Sequence, residues 1–440
     1  MTKLAINGGK PIRDIKRTPW PKWPVWDKNE EHTLLEVLRS GVWSYNGPKE
    51  SQFNKAFAAF TGTKYALSVA NGTVSLQLAL EACGIGWGDE VIVPGLTWQA
   101  TASSIVDVNA VPILVDVCED TWCIDPAKIE EAITPRTKAI IPVHLYGSFA
   151  DMDAITRIAR KHNLRVIEDC AHKHGGQWNR RKAGSIGDIG SFSFQLSKLM
   201  TAGEGGALTT SDSGLYEKLD ALRNCGRRPE KEKPADKAAG IYSDEGNFIQ
   251  SGNYRITDFQ AALLIEALKR LPQQNRLRED NAEYLNSLLL RLPGVQPMRR
   301  DKRETMAAYY NFSFRYKQDD FKRLPATELR KALSAELGCP VEPSYEPLNA
   351  CALYTPHTKP SRHKLTDKYW QEINPARFEL PVCHRIYGEE SVCFHHSVLM
   401  GTKADMDLIA EAIRKIYDSA DELVTKASRS AGTNRCGDNK

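Results

Sequence analysis

The feature that most limits how this chain can fold is a run of strand–helix alternation over residues 65–169. Short apolar segments at 65–69, 90–94, 111–116, 139–143 and 164–169 are separated by segments of helical length at 73–83, 101–108, 126–133 and 152–162. Strands that are apolar along their whole length are buried on both faces. Joined through helices, they build a mostly parallel sheet covered on either side. In such sheets a ligand sits beyond the carboxyl ends of the strands, so the residues just after each strand are where chemistry is expected. A further strand near 189–194, alternating in pattern, runs into Gln195-Leu-Ser-Lys198 and then Gly203-Glu-Gly-Gly206.

Outside that run, an arm at 1–28, rich in proline and tryptophan (Trp20, Trp23, Trp26), precedes a large domain at 29–297. The arm's aromatics are expected to pack against a partner subunit. Within the large domain, 257–271 reads as a helix capped by Thr257, with a second helix near 276–290. The charged tract 224–251, carrying Arg227 and Arg228, reads as a mobile loop or lid. The texture changes near 298: a strand at 309–316 and helices at 326–337 and 403–417 predict a smaller C-terminal α+β domain at 298–417. A flexible polar tail at 418–440 follows.

Composition excludes several classes. Lys+Arg 59 against Asp+Glu 55 leaves a net charge of +4, too balanced for a nucleic-acid surface. No apolar run is long enough to span a membrane, and the first residues lack the apolar stretch of a secretory signal, so a cytoplasmic location is expected. The ten cysteines are scattered without a CxxC pair, and no histidine partners Cys118 and Cys123 in a zinc spacing. Reduced thiols are expected, with neither a disulfide framework nor a metal site.

Four strand ends carry groups with chemical use. Asn71-Gly-Thr73 opens a helix, where exposed N–H groups suit a phosphate. Trp98 follows the second strand and is either a core residue or an indole that stacks on a planar ring. Asp169 ends the fifth strand. A buried acid there needs a cationic partner, met by a salt bridge or by a protonated ring nitrogen. Lys198 closes the set as either a surface lysine in a hairpin or a Schiff-base lysine.

Together these segments resemble the DegT/DnrJ/EryC1/StrS family of sugar and cyclitol aminotransferases, pyridoxal-phosphate enzymes of fold type I. The segments that carry the resemblance are Ala70-Asn-Gly-Thr, Pro94-Gly-Leu-Thr-Trp-Gln-Ala-Thr101, Pro142-Val-His-Leu-Tyr-Gly147, Ile167-Glu-Asp-Cys-Ala-His172, Ser191-Phe-Ser-Phe with Lys198, Gly203-Glu-Gly-Gly206, Gly252-Asn-Tyr-Arg255 and His395-His-Ser-Val-Leu-Met-Gly401. The resemblance implies an α/β architecture: a large, mostly parallel seven-stranded sheet domain sandwiched by helices, plus the smaller C-terminal domain. It implies that Lys198 holds pyridoxal 5'-phosphate and moves the proton, and that Asp169 faces the pyridine nitrogen. Trp98 would stack on the ring, and Gly72, Thr73 and Ser193 would hold the phosphate. Asn253, with Arg255 beside it, would reach the phosphate of a neighbouring subunit, making the enzyme a homodimer with a shared site. His172 stands where glutamine is commoner and would offer a ring nitrogen to the phenolic oxygen. It and Gln195 resemble the cyclitol and aminobenzoate-forming branch.

The implied activity is ping-pong transfer of an amino group from L-glutamine or L-glutamate to a keto-cyclitol such as scyllo-inosose, in aminoglycoside-type biosynthesis. A nucleotide-linked keto-sugar acceptor, a dehydrating synthase of an amino-aromatic acid, and a non-catalytic cofactor-binding regulator are the alternatives. His144, Tyr146, His174, Tyr345, His395 and His396 are candidate substrate-lining residues, because a polyhydroxylated acceptor needs many polar partners.

Overall fold

The computed structural model describes residues 3–45, 47–227, 249–358 and 366–425. Residues 228–248 of the tract read as a mobile loop, Arg228 included, and the tail from 426 lie outside the described residues.

The central strands are β1 (Tyr65–Val69), β2 (Glu90–Pro94), β3 (Val111–Val115), β4 (Thr137–Ile140), β5 (Arg165–Asp169), β6 (Ile189–Ser193) and β7 (Gly206–Thr210). They form one seven-stranded sheet in the order β1-β7-β6-β5-β4-β2-β3. Strands β3, β2, β4, β5 and β6 run parallel, while β7 is antiparallel to both of its neighbours. Val91, Ile92 and Val93 of β2 have no exposed surface, as expected of a strand covered on both faces. Because β7 is reversed, its first residue, Gly206, pairs with both Val69 and Ser193, the last residues of β1 and β6. The strand ends that carry Gly72, Asp169 and Lys198 are thereby gathered at one end of the sheet.

Two apolar clusters divide the molecule. One surrounds the seven-stranded sheet, and the other joins Leu4, the second half of the long helix, and the three-stranded sheet built from Val295–Pro297, Asn311–Tyr316 and Ser391–His395. The second cluster does not claim all of 298–417. Leu348, Tyr369, Leu380, Cys383 and Ile386 pack into the first. Tyr369 donates its hydroxyl to Ala110 O at 3.1 Å, and Leu348 N–H donates to Gly95 O at 2.8 Å. This stretch is short, lies between proline-rich turns, and has no periodicity of its own that would reveal which core it joins.

Three other expectations change. Asp258–Leu289 is one helix of 32 residues that runs through Pro272, not two helices. The helix survives there because its length is held by tertiary bonds rather than by propensity alone: Asn275 donates to His174 O at 2.7 Å, and Asn281 donates to Leu399 O and Gly401 O at 2.9 and 2.8 Å. The tail begins later than 418, since residues 420–425 are helical and Ala420 and Leu423 are buried.

In the arm, whose aromatics are expected against a partner, Trp20 and Trp23 dock on their own chain while Trp26 stays 63% exposed. Trp20 Nε1 donates to Leu337 O and Trp23 Nε1 to Leu196 O, each at 2.8 Å. Glu336, with no exposed surface, accepts from Ala5 N–H, Ile12 N–H and Lys415 Nζ at 2.8, 3.0 and 2.9 Å. A buried carboxylate with three donors ties the arm to the C-terminal helix Lys403–Asp418. Glu336→Ala leaves two arm N–H groups without their acceptor and the Lys415 ammonium with Lys10 O alone, at 3.0 Å, and the expected cost is about 2 kcal/mol. It is measured as a lowered thermal midpoint together with faster proteolysis within the first 27 residues.

Candidate active site

The turn after β6 is fixed from several sides. Lys198 N–H donates to Gln195 O at 2.9 Å, and Gln195 Oε1 accepts from Ser197 N–H and Ser197 Oγ at 2.8 and 2.7 Å. The Gln195 side chain is therefore spent on the turn. The outward carbonyls of the turn each take a ring N–H from a distant element. His174 Nε2 meets Ser193 O at 2.9 Å, Trp23 Nε1 meets Leu196 O, and His395 and His396 Nε2 meet Ser197 O at 3.2 and 3.1 Å. A carbonyl only accepts, so these bonds put the imidazole protons on Nε2.

Lys198 and Asp169 are both buried, at 8% and 6% exposure. Burial lowers the Lys198 pKa, opposed by Tyr310 and Asp169. Burial raises that of Asp169, opposed by the donors that orient it, Ala171 N–H to Oδ1 at 3.1 Å and Thr101 Oγ1 to Oδ2 at 2.9 Å, and by the charge of Lys198. Asp169 has no ion pair with a side chain within salt-bridge distance among the described residues. An oriented, buried carboxylate of this kind suits a cation that comes with a ligand.

Beside it, Asn71 caps the Gly72–Ala82 helix by accepting from Val74 N–H at 2.9 Å. A Cβ at Gly72 would lie 2.7 Å from Ser193 Cβ. That contact presses the helix start against Ser193 and leaves a cradle bounded by backbone N–H groups and a hydroxyl. The first N–H groups of a helix have no acceptor within it and favour an anion. Trp98 stands at the rim, 46% exposed, its ring 5.7 Å from that of Tyr345. His172 is buried: Tyr146 N–H donates to its Nδ1 at 3.3 Å and its Nε2 meets Tyr345 OH at 3.2 Å. Burial and the nearby Lys198 hold His172 well below the usual histidine range, so it is a neutral N–H donor.

The structure thus brings together Gly72, Ser193, Asp169, Thr101, Lys198, His172, Tyr345 and Trp98, with Thr73 in the first turn of the Gly72–Ala82 helix. It removes others from the lining. His144 is fully buried behind the sheet, its Nε2 3.2 Å from Glu168 Oε2 and its Nδ1 accepting from Ala150 N–H at 3.3 Å. Glu168 alternates with Asp169 along β5, so its partner faces the opposite side. His174 and His396 are also fully buried and serve the turn. Tyr146 is 3% exposed and accepts Tyr345 N–H at 2.9 Å, a layer behind His172. His395 is half-buried and also bound to the turn.

Asn253 is exposed, and Arg255 donates to Asn224 Oδ1 at 2.6 Å and lies over the Tyr45 ring at 4.8 Å. Their backbone neighbour Tyr254 accepts Ala70 N–H at 2.7 Å, next to the cradle, while their own side chains bond elsewhere.

Sequence reasoning missed Tyr310, Thr101, Ser197 and Trp23. Tyr310 sits just before a recognisable strand, and Thr101 is one turn past Trp98. Nothing in the local pattern says that either faces Lys198 or Asp169.

Residues 24–393 match the DegT/DnrJ/EryC1/StrS aminotransferase family. Over 426 residues, 96% of this chain and 99% of the relative, the sequence is 44% identical to an L-glutamine:2-deoxy-scyllo-inosose aminotransferase of Streptoalloteichus tenebrarius. Among solved structures, an aminotransferase from Psychrobacter cryohalolentis is similar with a TM-score of 0.79 and 32% identity over 91% of this chain and 100% of that one. A 3-amino-5-hydroxybenzoic acid synthase is similar with a TM-score of 0.75 and 31% identity over 92% of this chain and 99% of that one.

The neutral amine is the form that reacts with electrophiles, and burial favours it. Labelling of Lys198 by acetic anhydride, followed by mass spectrometry across pH, is therefore expected to reach half its maximum below 10.5, the ordinary lysine value. A midpoint at or above that value contradicts the buried placement of the amine.

Proposed function

The chain belongs to the DegT/DnrJ/EryC1/StrS aminotransferase family, and from that premise we propose that it moves the amino group of L-glutamine onto the ketone of a cyclitol of the 2-deoxy-scyllo-inosose type, using pyridoxal 5'-phosphate held by Lys198. The observation that carries this reading is the meeting of a buried amine and an unpaired, oriented carboxylate at the ends of adjacent strands β6 and β5. The acceptor rests on the near full-length likeness to the Streptoalloteichus enzyme.

The residues present fit that cofactor. The cradle of Gly72, Thr73 and Ser193 would take its phosphate, Asp169 its ring nitrogen, Trp98 its flat face and Lys198 its aldehyde carbon. When bound, pyridoxal phosphate supplies an electron sink for the bond electrons released at the donor's α-carbon. Asp169, kept in place by Thr101 and Ala171, holds a proton on the ring nitrogen. Lys198, whose burial keeps a share of its amine neutral, removes the α-proton and later delivers a proton to the acceptor carbon. His172, whose one N–H is on Nε2 beside Tyr345 OH, would hold the phenolic-oxygen side of the ring together with that tyrosine. The same lysine serves donor and acceptor in turn, and because the donor's keto acid leaves before the acceptor enters, the kinetics are ping-pong.

We place a second copy of the chain against exposed apolar side chains of the arm and of the segment after it. Trp26 is 63% exposed, Trp43 50% and Leu38 51%. Exposed Asn253, with Arg255, would then face the partner's phosphate. No helix among the described residues is long and apolar enough to cross a membrane, and the nine described cysteines are free thiols.

Purified protein supplied with glutamine and 2-deoxy-scyllo-inosose is expected to yield the aminated cyclitol by mass, and Lys198→Ala to lose about 10³-fold or more in kcat. Turnover with a nucleotide-linked keto-sugar and none with any keto-cyclitol overturns the acceptor assignment.

A further inference from the structure

A primary amine that alternates between bonded and free states needs somewhere to go when free. In this molecule that place is occupied by Tyr310. The Lys198 Nζ lies over the Tyr310 ring, 4.3 Å from its centroid. The Tyr310 hydroxyl is 2.9 Å from Ser197 Oγ, the neighbour of that lysine in the chain. The tyrosine itself cannot swing away. Its ring stacks on His172 with centroids 3.9 Å apart and planes 17° from parallel. Its N–H donates to Tyr146 O at 3.3 Å, and its carbonyl accepts from His396 N–H at 3.2 Å.

We propose that Tyr310 is a catalytic residue of this enzyme, its ring face and hydroxyl forming the resting station that receives the Lys198 amine whenever that amine is not bonded to the cofactor. The inference rests on the assignment of Lys198 as the reacting amine. A buried ammonium without compensation is costly. Asp169 cannot serve the lysine alone, since Thr101 and Ala171 aim its carboxylate and the ring nitrogen is its proposed partner. An aromatic face attracts the ammonium without accepting its proton, so the amine is kept within reach yet free to act as a base. A carboxylate in the same place would trap it as a salt bridge. Tyr310 also comes from the start of the Asn311–Tyr316 strand, whereas Lys198 belongs to the large sheet, so the station exists only when those two parts are packed together.

The test reads the lysine directly, without cofactor. The titratable groups around the amine are Asp169, His172, His174, His395 and Tyr310, and burial holds the three histidines below their usual range. Tyr310 is a group that favours the charged lysine, so removing it lets burial lower the Lys198 pKa further. In cofactor-free protein, the midpoint of Lys198 acetylation is expected to fall by about half a pH unit or more in Tyr310→Leu, with Tyr310→Phe, which keeps the ring, in between.

In loaded enzyme, the donor half-reaction is expected to slow about tenfold in Tyr310→Leu with donor KM within about twofold, and Tyr310→Phe to recover part of the rate. A midpoint unchanged in both variants overturns the proposal, as does an unchanged Tyr310→Phe midpoint where the leucine protein does not fold. A rate loss carried entirely by KM overturns it too. If Lys198 is not the cofactor lysine, the acetylation shift persists while the half-reaction is unaffected, which separates failure of the functional reading from failure of the contact.

Discussion

An amine and a carboxylate held out of water at the ends of two neighbouring parallel strands set the terms for the rest of this molecule. β5 and β6 pair in register, with Asp169 opposite Ser191, and the turn that follows β6 brings Lys198 back to the same end of the sheet. Neither is neutralised by a tight ion pair among the described residues. The carboxylate is oriented by a hydroxyl and a backbone N–H, and the amine rests on an aromatic ring. That leaves both with unspent affinity for a ligand that brings a cationic nitrogen, an aldehyde and a phosphate. A site of this kind is held together at some cost in stability, and the surrounding structure has to over-determine it.

The over-determination is visible in the lysine turn. Its carbonyls are held by ring N–H groups from the arm, the small sheet and the loop after β5, so three separate parts of the chain agree on one backbone path. The histidine donors carry a proton on Nε2, and burial favours their neutral state. Arg278, fully buried with its guanidinium 5.4 Å from the Trp23 ring, adds positive charge near His174, His395 and His396. Burial lowers the pKa of Arg278 itself to about 9. A cation at this spot opposes protonation of the histidines.

How much was legible in the sequence follows from the range of each interaction. The strands of the large sheet and the residues after them were readable because apolar runs and helix starts are local signals, and Gly72, Asp169, Ser193 and Lys198 all sit one step from a strand end. What was not readable depended on side-chain direction and long-range packing. His144 and His174 look like lining residues because histidine near a strand end often is one. Strand alternation and two carbonyl or carboxylate partners turn them inward. The arm looked like a dimer element because its tryptophans have no local partner, yet Leu337 and Leu196, far along the chain, supply acceptors for Trp20 and Trp23. Tyr310 carried no signal at all, since its role exists only across the packing of two parts of the fold.

The most direct check of the account is where the cofactor is attached. Incubating the protein with pyridoxal 5'-phosphate, reducing it with borohydride and mapping the peptides by mass should give one predominant adduct, on the peptide containing Lys198. An adduct found instead on Lys173, Lys182 or another lysine, or no adduct despite bound cofactor, contradicts it.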